Sequence, residues 1–140
     1  MPEQREKRRI VMVEDEPDFQ TVVHGWLAPE YEHIPLADGE ELIKRLEVFA
    51  PDLVIMDVRL PGPDGFELCR RIRKDPGFAE VPVLFLTGSQ DAEDFLKNFQ
   101  VGGTSYLRKP VSRQQLLSAV RQLLPGPREI EEEESVGTGD

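Results

Sequence analysis

Four apolar runs in the chain end on side chains that can do chemistry. Ile10-Val11-Met12-Val13 is followed by Glu14-Asp15, Leu53-Val54-Ile55-Met56 by Asp57, the run from Val81 to Leu86 by Thr87-Gly88, and Ser105-Tyr106-Leu107 by Arg108-Lys109-Pro110. In an open α/β sheet, ligands bind just outside the carboxyl ends of the strands. If these runs are parallel strands, three carboxylates, one hydroxyl and one ammonium converge on a single sheet edge. Three anions that close repel one another, so the cluster must hold protons or recruit a cation. An all-oxygen site favours a hard ion such as Mg2+, which keeps part of its octahedron for water and phosphate oxygens. A phosphoryl group is the natural second guest. Taken singly, an acidic residue after a strand is an ordinary helix cap or loop solubiliser. Five such coincidences at one edge are much harder to dismiss.

The elements that would hold these residues can be traced between them. After the first run, Phe19, Val22, Val23, Trp26 and Leu27 recur at helical spacing, with Pro17 in the first turn, Asp15 as an N-cap candidate and Pro29 beyond the end. A weaker strand, His33 to Ala37, contains Pro35 and is expected on a sheet edge, where a missing amide donor is tolerated. Asp38-Gly39 turns the chain, and Leu42, Ile43, Leu46 and Phe49 mark a second helix closed by Pro51. Phe66, Leu68, Cys69 and Ile72 form the inner face of a third. Ala92, Phe95, Leu96 and Phe99 form the stripe of a fourth, with Phe95 and Phe99 expected in the core, and Leu116, Leu117, Val120, Leu123 and Leu124 that of a fifth. Five strands alternating with five helices predict an α/β fold, a parallel sheet covered on both faces.

Length and charge bound what such a fold can be. With 140 residues, about 15.9 kDa and 39% hydrophobic residues, there is one core and little besides. Lys plus Arg number 17 against 27 Asp plus Glu, a net charge of −10 that argues against nucleic acid or anionic lipid as a partner. Beyond residue 124 lie six acidic residues and one basic, so half of that charge sits in a segment without an apolar face. The chain therefore divides into an N-terminal extension (1–7), a domain (8–124) and an acidic flexible tail (125–140). No run is long enough to span a bilayer and no signal-peptide pattern opens the chain, so a cytoplasmic location is expected. The single cysteine, Cys69, fits that compartment. His24 and His33 read as surface or helix-packing residues, and Trp26 as a cover for the core.

Over residues 8 to 124 these motifs resemble the receiver domain of two-component response regulators. Val11-Met12-Val13-Glu14-Asp15-Glu16-Pro17 is similar to the family's acidic pair, Met56-Asp57 through Asp64-Gly65 to its phosphoacceptor segment, and Tyr106-Leu107-Arg108-Lys109-Pro110 to its lysine motif. The resemblance implies a flavodoxin-like doubly wound sandwich with strand order 2-1-3-4-5. It implies Asp57 as the phosphoacceptor, taking a phosphoryl group from a phosphohistidine on a sensor histidine kinase or phosphotransfer protein. Mg2+ would be held by Glu14, Asp15, Asp57 and the backbone carbonyl of Arg59. Thr87, Gly88 and Lys109 would meet the phosphoryl oxygens, the Lys109-Pro110 bond would be cis, and Thr87 and Tyr106 would form the switch. A downstream protein target would dock on the face made by helix four, strand five and helix five, and a phosphorylation-dependent homodimer belongs to the same expectation. Such a module is not an enzyme beyond self-catalysed phosphoryl acceptance and autodephosphorylation.

Glu14 is one methylene longer than the aspartate common at its place, Gly88 stands where alanine is frequent, and Arg59 lies two residues beyond Asp57. That last position separates the competing reading, a phosphatase or phosphotransferase working through an aspartyl-phosphate. Such chemistry wants a second aspartate as general acid where Arg59 stands. A flavodoxin-like cofactor binder would need a Ser/Thr/Gly-rich phosphate loop after strand one, where Glu14-Asp15-Glu16 repels phosphate.

Overall fold

Strand residues alternate between the two faces of a sheet, and both faces here are covered. The structure, a computed structural model, describes residues 5–88, 92–124 and 128–129, with the side chains of 5, 6, 92–95, 128 and 129 outside that description. Its main elements in chain order are β1 (Arg9–Val13), α1 (Pro17–Leu27), β2 (Glu32–Leu36), α2 (Gly39–Lys44) with a continuation at Leu46–Phe49, β3 (Leu53–Asp57), α3 (Gly65–Lys74), β4 (Val83–Thr87), α4 (Ala92–Gln100), β5 (Ser105–Arg108) and α5 (Arg113–Leu123). The sheet runs β2-β1-β3-β4-β5 and every pairing is parallel, in the order the resemblance implies.

Ile10 and Met12 of β1 join one core cluster with Val23 and Leu27 of α1 and Leu116 and Val120 of α5. Val11 and Val13 join the other, with Leu42 of α2, Phe66, Leu68 and Ile72 of α3, and Phe85 of β4. β3 and β4 are buried along their whole length, which places Asp57 and Thr87 at the ends of the two most enclosed strands. Pro35 lies exposed in β2 at the sheet's edge, as expected of a residue without an amide donor.

Three local expectations are corrected. Asp15 does not cap α1: the N-cap is Glu16, whose side chain makes no cap bond, and the Glu16 N–H is taken by the Glu14 carboxylate at 3.1 Å. Pro17 has no N–H of its own, so the first turn asks for less capping. The second helix is broken at Arg45 (φ −129°, ψ 31°) and ends on Ala50 in the left-handed region at φ 45°, just before Pro51. On α4, Leu96 and Phe99 do not lie on the inner face that the apolar stripe suggests. Leu96 and Phe99 are 59% and 53% exposed, while Asn98 and Val101 point inward, and the wholly buried Asn98 amide has no hydrogen-bond partner. The other two residues of that stripe, Ala92 and Phe95, have side chains outside the described residues.

The chain ends add a feature the sequence did not suggest. Arg5–Glu6 pairs antiparallel with Arg128–Glu129, Arg5 opposite Glu129, in a two-stranded ribbon separate from the main sheet. The glutamate run 131–134 lies outside the described residues.

Candidate functional site

β1 and β3 are adjacent parallel strands, so their carboxyl ends lie side by side and carry Glu14 and Asp57 to the same edge. Carboxylate oxygens of Glu14, Asp15 and Asp57 lie within 4.8 Å of one another, the one such cluster of three among the described residues. Lys109 comes to it from beyond β5. Its backbone N–H donates to the Thr87 carbonyl at 2.7 Å, and its ammonium donates to Glu14 Oε1 at 3.0 Å and to Asp57 Oδ2 at 3.3 Å. The Arg59 backbone N–H donates to the other Asp57 oxygen at 3.2 Å. Glu14 and Asp57 are buried, whereas Asp15 faces solvent at the mouth.

The charges do not balance. Three carboxylates against one ammonium leave two net negative charges when all are ionised. Two like charges at that spacing repel by roughly 3 kcal/mol at an effective dielectric of about 20. Glu14 reports the strain: burial lifts its carboxyl above the ordinary value, and the Asp57 charge adds to the lift against the opposing pull of Lys109 and the Glu16 N–H. Burial pulls the Lys109 ammonium down, but the Glu14 hydrogen bond and the Asp57 charge outweigh it and leave the value raised. The cluster thus holds Lys109 firmly in its charged form. The donor set is all oxygen with an exposed carboxylate at its mouth, which fits a hard divalent ion that keeps its waters.

The remaining residues named from the sequence surround this cluster in part. Thr87 is wholly buried at the end of β4, and Gly88 beside it is exposed with open space where a Cβ would stand. The Arg59 side chain is exposed. Tyr106 is half-buried on the edge strand β5, opposite Phe85 in register and packed against that residue's cluster. The Lys109-Pro110 bond is cis, as the resemblance implies.

Three further residues contribute to the site in ways that their places in the sequence do not assign. Phe19 places its ring 4.9 Å from the Lys109 ammonium, a cation–π contact beneath the site. Gly65 lies against the Asp57 carbonyl so closely that any Cβ would collide with it. Gln20, 8% exposed, donates its side-chain amide to backbone carbonyls around the acidic pair. A signal for Gln20 existed: it shares its helical phase with the buried Val23 and Leu27, and a polar residue on an inward stripe needs partners.

Residues 10–121 match the family model for the response regulator receiver domain. Among curated proteins, the chain is 32% identical over 117 residues to the transcriptional regulatory protein BaeR of Escherichia coli, covering 83% of this chain and 48% of that protein. It is 34% identical over 131 residues to the transcriptional regulatory protein AfsQ1 of Streptomyces coelicolor, covering 92% and 57%. The chain spans about half the length of the curated relatives it matches. Among solved structures it is similar to the Vibrio cholerae chemotaxis protein CheY4, with TM-score 0.80 and 28% identity over 84% of this chain and 99% of that one. It is similar as well to the receiver domain of the sensor histidine kinase PA1611 from Pseudomonas aeruginosa, with TM-score 0.76 and 32% identity over 84% and 97%. That structure has a magnesium ion coordinated in its active site cleft.

Proposed function

Because the chain belongs to the response regulator receiver family of two-component signalling, we propose that Asp57 is its phosphoacceptor, loaded by a histidine kinase or phosphotransfer protein. The observation that carries this reading is the cluster itself, an ammonium shared by two buried carboxylates beside an exposed third. An Asp57 carboxylate oxygen attacks phosphorus, the phosphorus–nitrogen bond of the donor breaks, and the imidazole keeps the bonding pair. A carboxylate is a weak nucleophile, so alignment and charge neutralisation supply most of the rate. Mg2+, when bound, draws charge from the phosphoryl oxygens. Glu14, Asp15, Asp57 and the Arg59 carbonyl are the residues that would hold it.

Lys109 is placed to follow the new oxygens. Its ammonium already bridges Glu14 and Asp57, and a point charge on a flexible stem tolerates the changing geometry of transfer. The buried Thr87 hydroxyl turns to the phosphoryl group, and the half-buried Tyr106 occupies the space it leaves. The switch is then a shift between two packings biased by nearly two added negative charges. Its output is contact with a protein target or a second copy through the α4-β5-α5 face, in the cytoplasm. Receiver domains are signalling proteins, and phosphoryl acceptance and loss are the reactions proposed for this one.

Incubation with Mg2+ and a small acyl phosphate should add one phosphoryl mass, and Asp57→Asn should abolish it. Labelling that persists in the variant overturns the assignment. Release of many equivalents of phosphate from simple esters would favour a hydrolase instead, although Arg59 stands where that chemistry wants a second aspartate.

A further inference from the structure

From the hydrogen bonds of its buried amide we infer that Gln20 is a positioning residue for the metal-binding acidic pair, setting Mg2+ affinity without touching the ion; the inference rests on the receiver reading of the site. Its Nε2 lies 3.0 Å from the Glu14 carbonyl, 3.0 Å from the Leu36 carbonyl and 3.3 Å from the Met12 carbonyl. An amide nitrogen has two hydrogens, so three acceptors share two donors. The strand ladder between β1 and β2 stops at Val13 opposite Leu36, and Glu14 is the first residue past it. There the Glu14 N–H donates to the Leu36 carbonyl at 2.9 Å. Gln20 takes both that carbonyl and the Glu14 carbonyl, so Glu14 is held on its amide side and its carbonyl side.

The Glu14 carbonyl belongs to the peptide plane that joins Glu14 to Asp15. Fixing that plane fixes the directions in which the two carboxylates leave the backbone, one inward to Lys109 and one outward to the mouth. The arrangement has a cost that ordinary core packing would avoid, because Gln20 Oε1 is buried with no hydrogen-bond partner. An apolar residue of equal length would fill the same space without that orphan. The amide's return is its N–H groups at the acidic pair.

Gln20→Met keeps the length and removes the donor. Titration with Mg2+ by calorimetry should show a dissociation constant raised about tenfold, the size typical when a residue supporting a metal ligand is removed. The acyl phosphate labelling rate should recover at saturating Mg2+, because Asp57 and Lys109 are untouched. A folded Gln20→Met with unchanged Mg2+ affinity overturns the inference. If that variant does not fold, Gln20→Asn keeps the amide one methylene short, and the same rise is expected. Unchanged affinity in Gln20→Asn is likewise fatal. Should the wild type itself bind no Mg2+, or Asp57→Asn still be labelled, the site reading fails instead, so the two failures are distinguishable.

Discussion

Glu14 carries the electrostatic cost of the cluster before any ligand arrives. Burial and the Asp57 charge hold its proton to higher pH in the folded chain than in the unfolded one. The stability tied to this group is therefore full below about 4.5 and is lost as pH rises through the raised folded value. Asp57→Asn removes the neighbouring charge and lessens the lift. Without metal and at low salt, the variant should be more stable than wild type at pH 7 by roughly 1 kcal/mol, because the relieved repulsion with Glu14 and Asp15 is partly offset by the lost Lys109 ion pair. Urea denaturation with and without millimolar Mg2+ tests it. The advantage should shrink when the ion is present, because the wild type gains more from the cation.

Two predictions belong to α1 and its contact with β2. His24 Nδ1 and His33 Nδ1 lie 2.8 Å apart, so one ring donates and the other accepts, and a second proton would set two donors nose to nose. Burial first, and the neighbouring His24 second, lower His33 from 6.5 to about 4. A depressed base stabilises the fold above pH 6.5, and that contribution fades as pH falls through about 4. Its size is about 3 kcal/mol at 1.36 kcal/mol per unit. The loss between pH 7 and pH 4 should be smaller by most of that amount in His33→Gln, and equal slopes in the two proteins would remove His33 as the cause. On the same helix, Gly25 is exposed with nothing within 4 Å of where a Cβ would stand. Gly25→Ala should add about 1 kcal/mol by helix propensity alone and leave Mg2+ affinity unchanged, read by chemical denaturation and calorimetry.

The elements show where sequence pattern suffices and where it stops. β1, β3 and β4 are legible because each is a short apolar run ending on a charged or polar residue, which puts Glu14, Asp57 and Thr87 at one sheet edge, while Lys109 follows the less apolar β5. On α4, Leu96 and Phe99 do not mark the inner face. The helix buries Asn98, and Val101 follows in the same phase, while Leu96 and Phe99 are left facing out. The break at Arg45 had no composition signal, since Leu42 and Leu46 keep helical spacing across it and both are buried. Gln20 is not legible as a site residue from sequence, because a lone glutamine declares its partners only when the β2 carbonyl beside it is known.

For the molecule as a whole, the proposed metal site ties ion binding to folding. An ion that binds the folded chain alone stabilises it by RT ln(1 + [Mg2+]/Kd), about 1.4 kcal/mol at ten times Kd. Millimolar Mg2+ should accordingly raise Tm, and Asp15→Ala, which removes the exposed ligand at the mouth, should abolish the rise. Equal stabilisation of variant and wild type would place the ion elsewhere. No helix among the described residues is long and apolar enough to cross a membrane.

The small ribbon at the chain ends has a consequence of another kind. Because Arg5 stands opposite Glu129, the polypeptide enters and leaves the fold at nearly one point, about 5 Å apart across an antiparallel pair. Both crossings lie before β1 and after α5, away from the sheet edge that holds Asp57. A fold entered and left through one doorway can be spliced into a loop of a host protein, or closed and reopened elsewhere by circular permutation, without stretching either side. That portability makes it a plug-in unit for building phosphorylation-responsive chimeras.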